Sequence, residues 1–157
     1  MSRQVLIEQA SAESVFVSLL HAHAAATREL NAQLLADHGL TINDYEVLLR
    51  LSRSSDRRMR RVDLAGQVLL TPSGVTRLLD GLERSGYVER GACDCDRRVV
   101  YAVLTDAGAE KLAAAAKSHR AQIEDLFTAR LDGDQLEALG SLLARLADGG
   151  AGCDAPE

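Results

Sequence analysis

Cys93 and Cys95 stand one residue apart in the stretch GACDCDRRVVY, set among Asp94, Asp96, Arg97 and Arg98. Thiols, carboxylates and guanidiniums at this density allow three kinds of chemistry. Two thiolates can hold a soft metal, but a closed zinc site takes four ligands. The nearest histidine, His119, is expected on a separate helix. Two thiols can oxidise, although a disulfide across a single residue is strained. The neighbouring arginines favour the reactive thiolate and the two aspartates oppose it. The third chemistry belongs to the arginines. A tip carrying Arg97 and Arg98 suits a narrow, electronegative groove of duplex DNA, with Asp96 orienting one guanidinium through a charge-assisted hydrogen bond. The alternatives are thus a redox or metal role for Cys93 and Cys95, or an arginine-presenting tip that carries thiols incidentally. No complete metal site and no cofactor is expected.

A second group of polar residues lies in LTPSGVTRLLDGLERSGY, Leu70 to Tyr87. Thr71 and Pro72 are start signals for a helix, and Gly86 marks its end. At helical period Val75, Leu78, Leu79 and Leu82 form one face. Ser73, Thr76, Arg77, Asp80 and Arg84 form another. Such a helix packs on one side and touches something polar on the other. Arg77 can contact guanine bidentately, and Ser73 and Thr76 can donate to bases or phosphates. The amides near Ser73 and Gly74 can hold a phosphate, and glycine there lets the backbone approach.

The elements that must position these groups follow from periodicity. Ser11 to about His38 reads as a long helix with an apolar stripe at Val15, Leu19, His23, Ala26, Leu30 and Leu34, stopped by Gly39. Thr41 and Asp44 form an acidic variant of the capping box for the next helix. Ser54 to Arg60 is polar and loop-like, and Val62 to Leu69 is a short helix. After Gly86, YVERG and VVYAVL read as a two-stranded hairpin around the polar tip. Thr105 caps a second long helix to about Ala129. Asp132 and Gln135 open a last one, with a stripe of Leu136, Leu139, Leu143 and Leu146 that Gly149 and Gly150 end.

The chain has 157 residues, 46% of them hydrophobic, but aromatics are 3% and Trp is absent, so Leu, Val and Ala must build the core. The net charge is −5. Its distribution is uneven: Arg53 to Arg98 holds ten arginines against seven acids, a net +3, and the remainder holds eight basic against sixteen acidic residues, a net −8. Segregated charge can create a local positive face on an acidic molecule. No apolar run spans a bilayer and the first residues lack a signal-peptide layout, so a cytoplasmic location without membrane contact is expected. Three cysteines, an odd number, do not make a disulfide framework.

Together these elements predict a mainly α fold with a small β-hairpin wing, a winged helix–turn–helix flanked by N- and C-terminal dimerisation helices. Residues 1–40 are expected to be an N-terminal dimerisation region. Residues 41–104 form the DNA-binding domain, 105–148 the C-terminal dimerisation helices, and 149–157 a flexible tail. Apolar stripes on the outer helices with little to cover them point to a homodimer. At this point the chain resembles the MarR (multiple antibiotic resistance regulator) family of transcription factors, from about Ser11 to Asp148. LTINDYEVLLRL, DLAGQVLLTPSGVTRLLDGLERSGYVER and DRRVVYAVLTDAG carry the resemblance. It implies a dimer on palindromic double-stranded operator DNA. It also implies that Arg97 enters the minor groove, with Asp96 as its positioner and Arg98 as an auxiliary phosphate contact. Release by a small aromatic or otherwise lipophilic effector, a metal or thiol oxidation is implied as well.

The expected function is a homodimeric DNA-binding repressor released by a small-molecule effector, aromatic or anionic. A DNA-binding thiol or metal sensor is the alternative, and a winged-helix protein-interaction module a further one. DNA contacts are expected from Ser73, Gly74, Thr76, Arg77, Arg84, Asp96, Arg97 and Arg98. For an effector pocket between the outer helices and the central unit, His23 is the candidate, with His21, Arg28, His38, Tyr45 and Arg50 beside it. A basic side chain there would suit an anion. An enzyme is not expected: the chain has no Gly-rich phosphate loop, no nucleophile elbow and no paired catalytic motif, and leaves little length for a catalytic domain.

Overall fold

A computed structural model of the chain describes residues 11–68, 71–92 and 99–148. Helix α1 runs Ala12–His38, its N-terminus capped by the Ser11 hydroxyl and its end turned by Gly39 at φ 66°. Helix α2, Ile42–Arg53, opens with the expected capping box. The Asp44 amide donates to Thr41 Oγ1 at 3.1 Å, and the Thr41 amide donates to Asp44 Oδ2 at 2.9 Å. Two of the orphan amides of a helix start are thereby satisfied by one local pair.

The segment Ser54 to Arg60, expected as a loop, is more ordered than that. A single 3-10 turn, Ser55–Arg57, leads into strand β1, Arg58–Arg60. Asp56 and Arg57 both sit at positive φ, 56° and 53°, which turns the chain without a glycine. Helix α3 follows at Arg61–Gln67 and α4 at Pro72–Arg84. Strands β2, Val88–Ala92, and β3, Val100–Leu104, pair antiparallel with Val88 opposite Leu104 and Ala92 opposite Val100. The expected two-stranded hairpin forms, and the sheet has a third strand besides. Strand β1 pairs with the far edge of β3, Arg58 opposite Val103, giving the sheet order β1-β3-β2. The Arg58 guanidinium lies 5.0 Å over the Tyr101 ring, a cation–π contact that gives a charged edge strand something to rest on. Helices α5, Asp106–Thr128, and α6, Gly133–Asp148, complete the chain.

Residues up to His119 form one compact unit and those from Arg120 a second. The core of the first is aliphatic. Leu34 of α1, Val47, Leu48 and Leu51 of α2, Leu64 of α3 and Leu79 of α4 are fully buried, and Ala102, Leu104, Leu112 and Ala115 join them. The sheet and α5 are stitched at one point. Thr105 Oγ1 donates to the Gly86 carbonyl at 2.7 Å and accepts from the Gly108 amide at 3.0 Å. No helix among the described residues is long and apolar enough to cross a membrane.

Candidate nucleic-acid interface

The polar face expected on α4 is built as the sequence implies. Thr71 Oγ1 accepts from the Gly74 amide at 3.2 Å and so caps the first turn. Val75, Leu79 and Leu82 are buried. Ser73, Thr76, Arg77 and Arg84 are exposed on the other side. A cap that uses one amide leaves the remaining first-turn N–H groups and the positive end of the helix dipole facing outward. Ser73 Oγ lies 3.2 Å from the capping hydroxyl, beside those amides. No hydrogen bond or ion pair holds Arg77 among the described residues. Arg84 is engaged instead: its Nε donates to the Asp80 carbonyl at 3.2 Å, one turn back.

The hairpin lies next to this helix. Strand β2 packs on α4, and its chain climbs from Val88 to Ala92 before returning from Val100. The tip residues Cys93, Cys95, Asp96, Arg97 and Arg98 lie outside the described residues. Among the described residues no three His, Cys, Asp or Glu side chains gather as a metal site would require.

The candidates for an effector pocket are spread over three places. His23 and Arg28 are exposed on α1, as is His21. His38 Nε2 lies 2.6 Å from the Ser118 hydroxyl, and Tyr45 meets His119. These two candidates therefore share one corner, where α1, α2 and α5 meet. Arg50 is elsewhere. It binds Glu46 Oε1 through Nη2 at 2.6 Å and Gln67 Oε1 through Nη1 at 3.2 Å. There it lines a pocket of about 390 Å³ with Glu46, Leu49, Arg53, Ser54, Met59 and Gln67. Arg50 thus stands apart from the histidines.

Sequence reasoning missed two sets of residues. His119 had no part beyond that of a remote metal ligand, yet it is buried between helices. Arg61 and Arg90, from α3 and β2, engage Asp80 and Glu83 of α4. Neither set has a local signature, because the partners are far apart in the chain.

Two successive helices, the second polar on its outer face, with an antiparallel hairpin beside it, define a winged helix–turn–helix protein. A sequence model of the MarR family matches residues 40–100. The chain is 30% identical over 115 residues to the transcriptional repressor YetL of Bacillus subtilis, covering 71% of this chain and 69% of that protein. It is 26% identical over 132 residues to the transcriptional regulator MhqR of the same organism, covering 84% and 88%. Among solved structures it resembles Sco3205, a MarR family transcriptional regulator from Streptomyces coelicolor in complex with DNA, with a TM-score of 0.78, 32% identity and 89% of each chain covered. The chain belongs to the MarR family and is a transcriptional regulator.

Proposed function

We propose that the protein is a homodimeric repressor that binds a palindromic operator through α4 and the wing. The observation that carries this reading is the divided surface of α4. Its apolar face is buried, its first turn is capped by Thr71, and Ser73, Thr76 and Arg77 are exposed on the outer face. A helix of this kind enters a major groove N-terminus first. Ser73 and Gly74 meet phosphate, Thr76 and Arg77 meet base edges, and Arg84 reaches the backbone. Arg97, oriented by Asp96, reads the minor groove, and Arg98 adds a phosphate contact. The repressor assignment follows the relative YetL, named as one.

The dimer follows from exposed apolar side chains. Phe16, Leu20 and Val15 on α1 and Leu142, Leu143 and Leu146 on α6 are all more than a third exposed. Clusters of this size on a monomer are unusual and are covered by a partner. Residues 1–40 and 105–148 thus serve as dimerisation regions around the DNA-binding residues 41–104. Two recognition helices then meet successive major grooves about 34 Å apart. Titration of the purified chain with a duplex from directly upstream of its gene, at several salt concentrations, tests this. Affinity should fall steeply as salt rises, with a slope of about −0.9 per phosphate contacted. Flat salt dependence, or no preference over a scrambled duplex, would overturn the reading.

The pocket beside Arg50 supports an effector-released mechanism. Leu49 and Met59 line it together with Arg50, which Glu46 already holds, and Arg53, whose guanidinium suits a small aromatic or aliphatic carboxylate. It touches the end of α2, strand β1 and the last residue of α3, so a ligand there meets both the helix that precedes α4 and the sheet of the wing. A ligand that prefers a geometry unable to span both half-sites releases DNA. Weakening of operator binding by benzoate-class acids, lost in Arg53→Ala, is the expected result. An undiminished response in that variant would place the effector elsewhere.

A further inference from the structure

Asp80 and Glu83 lie one turn apart on α4, and each meets the same two arginines. Arg90 of β2 places Nε 2.8 Å from Glu83 Oε2 and Nη2 3.1 Å from Asp80 Oδ1. Arg61, the first residue of α3, places Nη2 3.5 Å from Asp80 Oδ1 and 3.6 Å from Glu83 Oε1. The four side chains close a ring of two acids and two bases. Arg61 and Glu83 are its inner half, their side chains 19% exposed. Glu83 Oε1 is buried without a hydrogen bond, and the Arg61 guanidinium faces it while Arg90 binds the other oxygen.

An isolated surface ion pair adds little, because solvent screens it and ordering it costs entropy. This ring differs in two ways. It is a partly buried network, in which removing one member leaves another charge uncompensated. It also joins three elements through one helix: α3 by Arg61, β2 by Arg90, and α4 by both carboxylates. Strand β2 leads directly to the wing tip. Thr76, Asp80 and Glu83 are spaced four and three residues apart, so they continue one stripe of α4. Two free carboxylates on the stripe that carries Thr76 would repel phosphates. Bound to two arginines, they carry no net charge.

We propose that Asp80 and Glu83 are positioning residues for DNA recognition, fixing the wing and α3 to the recognition helix, and that Arg61 and Arg90 act through them and not on phosphate. This rests on the DNA-binding reading above. It predicts that the wing contributes to affinity only while Glu83 holds Arg90. Loss of either side chain has the same consequence, and loss of both adds nothing further.

The experiment is a double-mutant cycle of Glu83→Gln, Arg90→Gln and the pair. It is read as affinity for the upstream duplex at several salt concentrations, with circular dichroism confirming that each variant is folded. Each single variant should bind about tenfold more weakly, the pair no worse than either, and all three should share one salt slope, lowered alike by loss of the wing's phosphate contact. A slope lowered in Arg90→Gln but not in Glu83→Gln would mean that Arg90 itself touches a phosphate, which sinks the proposal. Unchanged affinity in Glu83→Gln, or losses that multiply in the pair, sink it equally. If the wild-type chain binds no duplex, the DNA-binding reading itself fails. Binding by the wild type with independent losses in the variants overturns the positioning role alone.

Discussion

Tyr45 and His119 meet edge to face, their ring centroids 4.7 Å apart and their planes inclined by 62°. The contact joins α2 to α5. Beside it His38, the last residue of α1, lies 2.6 Å from Ser118, which in turn donates to the Ala115 carbonyl. Three helices therefore converge on a corner that is polar in composition and partly buried. His119 is only 5% exposed, and its Nδ1 is buried with no hydrogen-bond partner among the described residues.

Burial at this corner disfavours the imidazolium and lowers the His119 pKa below the usual histidine value. The consequence for stability has a definite sign. Below pH of about 6.5 the unfolded chain takes up a proton at this residue that the folded chain resists, so stability falls as pH falls. Above that pH the contribution is fully present. His119→Phe keeps an aromatic edge against Tyr45 and removes both the titration and the unpaired nitrogen. The urea midpoint of the wild type should drop more between pH 7.5 and pH 5.5 than that of the variant. Equal drops would show that other groups account for the acid sensitivity.

Gly108 opens a second prediction. A Cβ at this position would lie 2.1 Å from the Tyr87 carbonyl oxygen and 2.8 Å from Leu104 Cδ1. The carbonyl cannot move away freely, because it accepts the Thr105 amide at 3.1 Å. Gly108→Ala should therefore cost about 1–3 kcal/mol, as overpacking does. Gly81, inside α4, has open space where a Cβ would go. Gly81→Ala should be neutral or stabilising by about 0.5–1 kcal/mol, since alanine suits a helix interior better. Thermal denaturation of the two variants checks the pair. A Gly108→Ala variant as stable as the wild type would mean that the first turn of α5 can shift away from the sheet.

What the sequence made legible was local. The caps at Thr41, Thr71 and Asp132 each involve partners three residues away, and all three form as their spacing implies. The stops at Gly39 and Gly86 rest on a single backbone requirement, positive φ, and both glycines adopt it. Strand β1 was not legible. Its three residues, Arg-Met-Arg, are charged at both ends, its partner strand lies about forty residues on, and the turn before it uses Asp56 and Arg57 where glycine is the usual sign. The ring around Asp80 and Glu83 was hidden for the same reason: Arg61 is nineteen residues from Asp80. On α1 the apolar stripe divides between two surroundings. Leu30 and Leu34 are buried, whereas Val15 and Leu19 stay exposed in the single chain. Periodicity reveals that a face is apolar and says nothing about what covers it.

That exposed face gives a third prediction. If a second copy covers it, Leu146→Glu or Phe16→Glu places a carboxylate in an apolar interface and should dissociate the dimer. In an isolated chain the same side chains are 65% and 59% exposed, so substitution there should leave the fold almost untouched. Sedimentation velocity separates the cases. Variants that sediment like the wild type, and melt at the same temperature, would remove α1 and α6 from the dimer interface.

Arg77 allows the base-reading role to be separated from simple attraction. It stands on the outer face of α4, exposed, and no ion pair competes for it among the described residues. Lysine keeps the charge but loses the planar fork that matches the two acceptors of guanine. Arg77→Lys should therefore bind a non-operator duplex about as well as the wild type does, with an equal salt slope. It should bind the operator more weakly by about 1–3 kcal/mol, the worth of a bidentate base contact. Arg77→Ala should lose the operator preference as well, and removing the cation should weaken its binding to both duplexes at low salt. Competition binding with operator and scrambled duplexes measures the ratio directly. Should Arg77→Lys retain the full operator preference, Arg77 acts as a point charge on phosphate, and base recognition must come from Thr76 and the other groups on α4.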